Sequence, residues 1–291
     1  MCYQSSVISH SMKLHTIDTG FFKLDGGAMH GVVPKSLWNK KNPADENNMC
    51  SWAMRCLLIE DGNRLILIDN GIGTKQDAKF FSYYYLHGDA SLEKSLHAKG
   101  FGFSDITDVF LTHLHFDHCG GSINKKDDKL STAFPNATYW SNETHWAWAT
   151  KPNAREKASF LKENILPIQE SGQLKFFNET DELIPGFKAW FTYGHTGAMM
   201  LPHIQCNGKT LVFLADLMPS AAHIPMPWIM AYDVQPLKTL TEKEQLLPKA
   251  ADENYVLFFE HDSAIECCTV EKTETGIVRK DAGSLADFFG K

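Results

Sequence analysis

The stretch LTHLHFDHCGG, residues 111–121, holds three histidines and an aspartate within six positions. Imidazole and carboxylate groups are the usual protein ligands of divalent transition metals. In an extended chain, positions two apart project to the same side, so His113 and His115 could bind one ion. Asp117 and His118 follow where the chain turns into a helix, and they suit a second ion.

Three more apolar runs end on a residue that could bind the same metals. KAWFTYGH, KTLVFLAD and NYVLFFEH end at His195, Asp216 and His261, just as DVFLTH ends at His113. Ligands in open α/β sheets bind outside the carboxyl ends of strands, so we expect the four ends to converge. With the loop 113–118 they supply five histidines and two aspartates, and this set predicts a metal site.

The elements that must position these residues are strands mixed with helices. MRCLLIE (54–60) and RLILIDNG (64–71) flank Asp-Gly-Asn, which predicts a β-hairpin. ATYWSNETHWAWAT predicts a strand that turns into a helix capped by Ser141 or Asn142. An amphipathic helix is predicted over 153–163. The order of elements indicates α/β layers in which sheets are covered by helices.

Two other segments complete the prediction of elements. LKTLTEKEQLLPKAADE predicts a helix after a Pro-rich loop over 217–236. The aromatic run FFSYYYLH, residues 80–87, is interpreted as core in preference to a dimer contact. Residues 1–11 precede the periodic pattern and are predicted to be a disordered lead-in, with Met12 as a candidate true start. Residues 12–291 are predicted to form one domain.

The composition of the chain limits the classes of protein to which it could belong. The chain has 291 residues, of which 43% are apolar and 22% charged, with a formal charge of −7. This balance argues against a nucleic-acid partner, which needs a basic stripe. No apolar window is long enough for a membrane span, and the N-terminus lacks the pattern of a secretory signal. The seven cysteines have no metal-type spacing and are predicted to be reduced thiols of a cytoplasmic protein.

THLHFDHCGG, GHTG at 194–197, Asp216 and His261 together resemble the metallo-β-lactamase superfamily. The resemblance covers most of the chain from about Met12. It implies an αββα sandwich of two mixed β-sheets flanked by helices, with the site at one edge of both sheets.

The family pattern also implies a role for each ligand. His113, His115 and His195 would hold the first metal, and Asp117, His118 and His261 the second, with Asp216 bridging them. Asp69, in LIDNG, matches a position that orients the site from behind. The donor set suits two divalent ions, Zn²⁺ above all, with Mn²⁺, Fe²⁺ or Co²⁺ as alternatives.

Such an array predicts a hydrolase that uses a bridging hydroxide on a lactone, a carboxylic ester or a phosphotriester. Asp117 is the candidate catalytic residue, because its free oxygen could take a proton and return it to the leaving group. The alternatives on the same scaffold are a phosphodiesterase, a mononuclear-iron dioxygenase or a non-catalytic metal-binding protein.

The string HLHFDHCGG looks most like the acyl-homoserine lactonases, and other stretches look like the methyl parathion hydrolase-type branch. Lactonases often carry a tyrosine three residues after the bridging aspartate, where this chain has Pro219. Tyr193 and Tyr232 are candidate substitutes.

The resemblance also indicates a small-molecule substrate and makes a homodimer one expectation. The candidate residues of the substrate pocket are Met29, His30, Phe116, His223 and Trp228.

Overall fold

The computed structural model describes residues 12–290, and the predicted lead-in at 1–11 lies outside them. One mixed sheet has the strand order β1-β2-β3-β4-β7-β8, in which β3, β4, β7 and β8 run parallel to one another and the pairs β1-β2 and β2-β3 are antiparallel. A separate hairpin, β5-β6, follows the metal loop. These strands are β1 (Lys13–Asp25), β2 (Met49–Asp61), β3 (Arg64–Ile68), β4 (Asp108–Phe110), β5 (Ile123–Lys126), β6 (Lys129–Thr132), β7 (Thr138–Ser141) and β8 (Leu174–Phe176).

The second sheet has the order β14-β13-β12-β11-β10-β9 and is antiparallel except for the pair β11-β12. Its strands are β9 (Phe187–Thr192), β10 (Met199–Cys206), β11 (Lys209–Phe213), β12 (Val256–Phe258), β13 (Cys267–Thr273) and β14 (Gly276–Gly283). The apolar faces of the two sheets pack on one another, as the edge-to-face contact of Phe110 with Phe187 at 5.0 Å between ring centroids shows.

Short helices flank the sheets. They are α1 (Gly26–His30), α2 (Lys35–Trp38), α3 (Ala78–Ser82), α4 (Leu92–Ala98), α5 (Phe116–Cys119), α6 (Glu143–Thr150), α7 (Lys162–Glu170), α8 (Pro236–Asp252) and α9 (Leu285–Phe289). The predicted αββα sandwich of two mixed sheets is therefore confirmed. None of the helices between residues 12 and 290 is long and apolar enough to cross a membrane.

Four strands deliver the predicted metal residues with one regular offset. β4, β9, β11 and β12 end at residues 110, 192, 213 and 258. His113, His195, Asp216 and His261 each lie three residues beyond the end of their strand. Because β4 belongs to one sheet and the other three strands to its partner, both sheets contribute to the same edge.

Several predicted elements are confirmed. The hairpin forms between β2 and β3, and Asn142 caps α6 by accepting from the amide of His145. The helix after the Pro-rich loop is α8. Within the described part of the chain, the six cysteines are free and buried.

The helix predicted over 153–163 is wrong. Residues 154–159 form turns, and the helix α7 begins only at Lys162. The side chain of Asn153 accepts from the amides of Arg155 and Glu156, which favours a turn. The Glu156 carboxylate accepts from Thr196, and this contact holds the segment against the edge of the sheets.

The interpretation of residues 80–87 as core is also wrong. Tyr83, Tyr85 and Leu86 are 58%, 52% and 40% exposed. Only part of the run packs inward, where the ring of Tyr84 contacts that of Phe116 at 4.7 Å between centroids. An aromatic-rich run without a clear period does not indicate which of its rings are buried.

Candidate metal centre

The structure brings all seven predicted ligands together in two adjoining groups. One group contains His113, His115, His195 and Asp216, and the other contains Asp117, His118 and His261. Within each group the donor atoms lie within 4.8 Å of one another, and every member is buried. The two groups therefore match the division that the sequence predicts.

The first group has the spacing of ligands around one ion. His115 Nδ1 lies 3.1 Å from His113 Nε2 and 3.2 Å from His195 Nε2. Ligands about 2.0–2.1 Å from a tetrahedral Zn²⁺ stand about 3.3–3.4 Å apart. Three imidazole nitrogens that face one another so closely fit a shared cation.

Asp216 lies between the two groups. Its Oδ2 is 3.2 Å from His195 Nε2, and its Oδ1 is 3.2 Å from His261 Nε2. In the second group, His261 Nε2 lies 3.1 Å from His118 Nε2, and Asp117 Oδ2 lies 3.8 Å from each of these nitrogens. Oδ2 of Asp216 also lies 3.5 Å from His118 Nε2, so this carboxylate is within reach of both groups, as a bridging ligand must be.

Four of the histidines have an acceptor behind them that selects the same tautomer. Each acceptor lies near Nδ1, so the neutral ring carries its proton on Nδ1 and offers the lone pair of Nε2 to a metal. The four pairs are His113 with Thr112 Oγ1 at 3.0 Å, His118 with Asp69 Oδ2 at 3.2 Å, His195 with Asp233 Oδ1 at 2.9 Å and His261 with the Ala53 carbonyl at 2.7 Å.

His115 is turned the other way. Its Nδ1 faces the group, and its Nε2 lies 3.6 Å from Glu156 Oε1. The carboxylate of Glu156 also accepts from Thr196 Oγ1 at 2.6 Å and from Trp148 Nε1 at 2.8 Å. A fixed carboxylate therefore stands behind the one histidine whose ring is reversed.

Asp69 lies where the family pattern places it, behind the cluster and fully buried. Its oxygens accept from the amide and the hydroxyl of Thr112 at 2.8 and 2.6 Å, and one of them also contacts His118. The backbone of Asp69 has a φ of 54°, and Ala215, next to a predicted ligand, has a φ of 42°. Non-glycine residues in this region are strained, and such strain concentrates at functional sites.

Electrostatics concentrate negative charge at the centre. Burial alone would raise the pKa of Asp216, but His195 and His261 hold it well below its usual range. Burial would lower the pKa of His261, and the Asp216 carboxylate outweighs it and raises the pKa to about 9. Among residues 12–290, no hydrogen-bond donor satisfies the buried Oδ1 of Asp216. This field and the unsatisfied oxygen fit divalent cations.

A cleft of about 470 Å³ opens over the cluster. Met29 and Phe116, two of the candidate residues of the substrate pocket, lie in its wall, and so does Asp117. Tyr232 also lines the cleft, whereas the ring of Tyr193 lies under the Lys238 ammonium at 4.4 Å and is not part of the wall.

His30, His223 and Trp228 do not line this cleft. The rings of His30 and His223 are buried and stacked at 4.9 Å between centroids, and Trp228 meets His30 edge-on. His223 Nε2 lies 2.8 Å from the Met29 carbonyl. His30 and His223 are thus buried away from the cleft, and Trp228 lines a separate pocket, so none of the three residues contacts the cleft over the metal centre.

Sequence reasoning missed the residues that stand behind the ligands. Asp233, Glu156 and Glu260 are buried acids near His195, His115 and His118, respectively. His145, also buried, accepts from the amide of Leu114 at 2.9 Å and so holds the metal loop. Tyr84 and Arg155 line the cleft. A carboxylate inside an apolar run, as in VLFFEH, is the one signal that could have pointed to Glu260.

Comparison with known proteins agrees with this geometry. The sequence profile of the metallo-beta-lactamase superfamily matches residues 55–261. The N-acyl homoserine lactonase of Bacillus thuringiensis is 24% identical over 271 residues, which cover 86% of this chain and 93% of the lactonase.

Two solved structures extend the likeness over nearly the whole chain. A probable metal-dependent hydrolase from Staphylococcus aureus superimposes with a TM-score of 0.85 at 28% identity, covering 94% of this chain and 96% of that one. AidC, a dizinc quorum-quenching lactonase in complex with a product, gives a TM-score of 0.77 at 22% identity, with 96% and 97% covered. The match of the profile over most of the chain shows that this protein belongs to the metallo-beta-lactamase superfamily.

Proposed function

We propose that this protein is a dinuclear metal-dependent hydrolase of neutral lactones and carboxylic esters, with phosphotriesters as further candidate substrates. The observation that carries the proposal is the pair of adjoining donor groups joined by Asp216. Seven His and Asp side chains with no thiolate suit two zinc ions, and the dizinc centre of AidC supports this choice. Such ions, when bound, would activate a water molecule and polarise the oxygen of an ester-like group.

The residues of this chain supply position and proton transfer. His118, His195 and His261 are held by acceptors behind their rings, so their nitrogens need no rearrangement when a substrate binds. Asp117 is buried at the floor of the cleft and is the proposed proton carrier. It would take the proton of the attacking water and deliver it to the leaving oxygen.

Charge around the centre favours an uncharged substrate. Six buried acids surround the two groups and would offset much of the charge that two divalent ions bring. They are Asp69, Asp117, Glu156, Asp216, Asp233 and Glu260. Arg155 is the one lysine or arginine side chain in the wall of the cleft over residues 12–290. A phosphodiester monoanion would find little positive charge in this cleft beyond the two ions, whereas a lactone, an ester or a phosphotriester needs none.

The apolar part of the wall supports the same substrate class. Leu24, Ala28, Met29, Phe116 and Met230 line one side of the cleft. A cleft of this volume is of the size that holds small organic ligands. The lactonases among the relatives act on N-acyl homoserine lactones, and we propose that compounds of this class are among the substrates tested first.

Lactonases often carry a tyrosine at the position of Pro219. In this chain the cleft offers two other phenols, those of Tyr84 and Tyr232. Burial raises the pKa of Tyr84 to about 12, which keeps its hydroxyl protonated as a donor at neutral pH. Either phenol could donate to a substrate oxygen, and the substitutions Tyr84→Phe and Tyr232→Phe separate their contributions.

A hydrolysis panel with the zinc-loaded protein and with its manganese- and cobalt-loaded forms tests the proposal. The panel contains acyl-homoserine lactones of several chain lengths, simple lactones, aryl esters, a paraoxon-like triester and bis-p-nitrophenyl phosphate. We expect the neutral substrates to be hydrolysed faster than the phosphodiester. A preference for the phosphodiester would favour the phosphodiesterase alternative, and an iron site that consumes oxygen would favour the dioxygenase.

Two ligand substitutions and one matched control complete the test. Asp216→Ala and His118→Ala should each lose metal and at least 100-fold in kcat, because they remove ligands. His97→Gln changes an exposed histidine on α4 and should leave both metal content and rate unchanged. Full metal content and full hydrolysis in Asp216→Ala would contradict the proposal.

A further inference from the structure

Glu260 is a buried acid outside the predicted ligand set. It directly precedes His261, and its side chain is fully buried. Its Oε2 lies 3.0 Å from His118 Nδ1, slightly closer than Asp69 Oδ2 at 3.2 Å. Two carboxylates therefore face the one protonated nitrogen of His118, and the three residues form a compact group.

The hydrogen bond of this nitrogen goes to Asp69, whereas the carboxyl group of Glu260 lies beside the same nitrogen. In the part of the chain that the structure describes, neither oxygen of Glu260 has an aligned hydrogen bond. Asp69 also stabilises the fold, because its carboxylate accepts two hydrogen bonds from Thr112. Glu260 has no comparable bond to the fold. The guanidinium of Arg55, the nearby buried cation, donates instead to backbone carbonyls such as that of Phe259.

An isolated buried carboxylate destabilises a fold by several kcal/mol unless positive charge compensates it. Positive charge near Glu260 can come from His118 and from a cation on the other side of that imidazole. A carboxylate behind a ligating histidine also raises the basicity of the ligand and hence its affinity for metal. The closeness of Glu260 to the second group of ligands thus explains why an acid is buried at this position.

We propose that Glu260 is a positioning residue that acts through His118 to strengthen metal binding at the group formed by Asp117, His118 and His261. The inference rests on the proposed metal centre. According to this inference, two acids stand behind the ring of His118, namely Asp69 and Glu260.

The test is a stepwise zinc titration of Glu260→Gln against a chromophoric chelator, combined with thermal unfolding with and without zinc. We expect one of two binding steps to weaken 10–100-fold while the other keeps its affinity. We also expect the variant without zinc to be at least as stable as the wild type, and its rise in Tm on adding zinc to be smaller. A residue with only a packing role would lower Tm equally in both conditions.

The control is Glu266→Gln. Glu266 is half-buried, its side chain accepts from the amide of Leu285 at 2.7 Å, and it belongs to none of the ligand groups. This change should lower both Tm values alike and leave both zinc affinities unchanged. Glu260→Asp keeps the carboxyl group and should recover part of the zinc affinity that Glu260→Gln loses. If Glu260→Gln does not fold, Glu260→Ala takes its place in the titration.

The outcomes separate the two proposals. A wild-type protein that binds no zinc would refute the metal centre itself. A wild type that binds two ions, with a Glu260→Gln variant that binds both with unchanged affinity, would overturn only the inference on Glu260.

Discussion

Lys243 ties α8 to the loop that forms one wall of the cleft. Its side chain is fully buried, and Nζ donates to the carbonyls of Pro225, Met226 and Trp228 at 2.9, 3.1 and 3.0 Å. The next residues along the loop, 230–232, line the cleft. A single buried amino group therefore fixes the path of the chain into this wall.

Burial lowers the pKa of Lys243 from 10.5 to about 7. Between these values the unfolded chain holds a proton on this lysine that the folded chain lacks. The contribution of Lys243 to the free energy of unfolding is therefore lowest below pH 7 and rises with pH up to about 10.5. The slope is about 1.4 kcal/mol per pH unit, and the full difference is about 5 kcal/mol.

Lys243→Met removes both the donor and the titration while keeping the length of the side chain. It leaves three carbonyls without their donor, and we expect a loss of roughly 1–3 kcal/mol at pH 7. The difference in the free energy of unfolding between wild type and variant should then grow by about 4 kcal/mol between pH 7 and pH 10.

Urea unfolding at pH 7, 8, 9 and 10 measures this difference. Lys249→Met serves as the control, because Lys249 lies on the same helix with a side chain that is 58% exposed. Its difference from the wild type should be small and independent of pH. Parallel curves for wild type and Lys243→Met over this range would refute the reasoning.

Three further predictions follow from the site and its supports. Asp233→Ala removes the acceptor behind His195 and should weaken zinc binding 10–100-fold in a chelator competition, and an unchanged affinity would count against the role of Asp233. Burial lowers the pKa of His145 to about 4, so its contribution to stability is complete above pH 6.5 and declines by about 1.4 kcal/mol per unit below it. Urea unfolding of the wild type and His145→Gln between pH 7.5 and 5 measures this, and an equal pH dependence would contradict it. Gly120→Ala would place a Cβ 2.1 Å from the Ile72 carbonyl oxygen and should lower the free energy of unfolding by more than about 2 kcal/mol. Urea unfolding measures this loss, and a variant as stable as the wild type would disprove it.

Residues whose role follows from local pattern could be predicted from the sequence. Each apolar run that ends at His113, His195, Asp216 or His261 became a strand with the ligand three residues past its end. Period and strand ends are local properties, and the carboxyl ends of the strands meet at one edge once the sheets form.

Residues whose role depends on contacts distant in sequence could not be predicted. Asp233 lies 38 residues from His195, and Asp69 lies 49 residues from His118. Asp69 was identified through the family resemblance, whereas nothing in the local sequence of Asp233 indicates its partner. The turns at residues 154–159 have a local cause in the hydrogen bonds that Asn153 accepts and a distant one in the contact between Glu156 and Thr196, which the sequence does not indicate.

The central claim is that seven side chains from two sheets hold two ions that share Asp216. A crystal structure of the zinc-loaded protein, with anomalous difference maps on both sides of the zinc edge, tests it directly. The account predicts two zinc peaks per chain, about 3.5–4 Å apart as in other two-metal sites. One peak should lie among His113, His115 and His195, and the other among Asp117, His118 and His261. A single peak, or zinc bound elsewhere in a protein that is fully active, would contradict it.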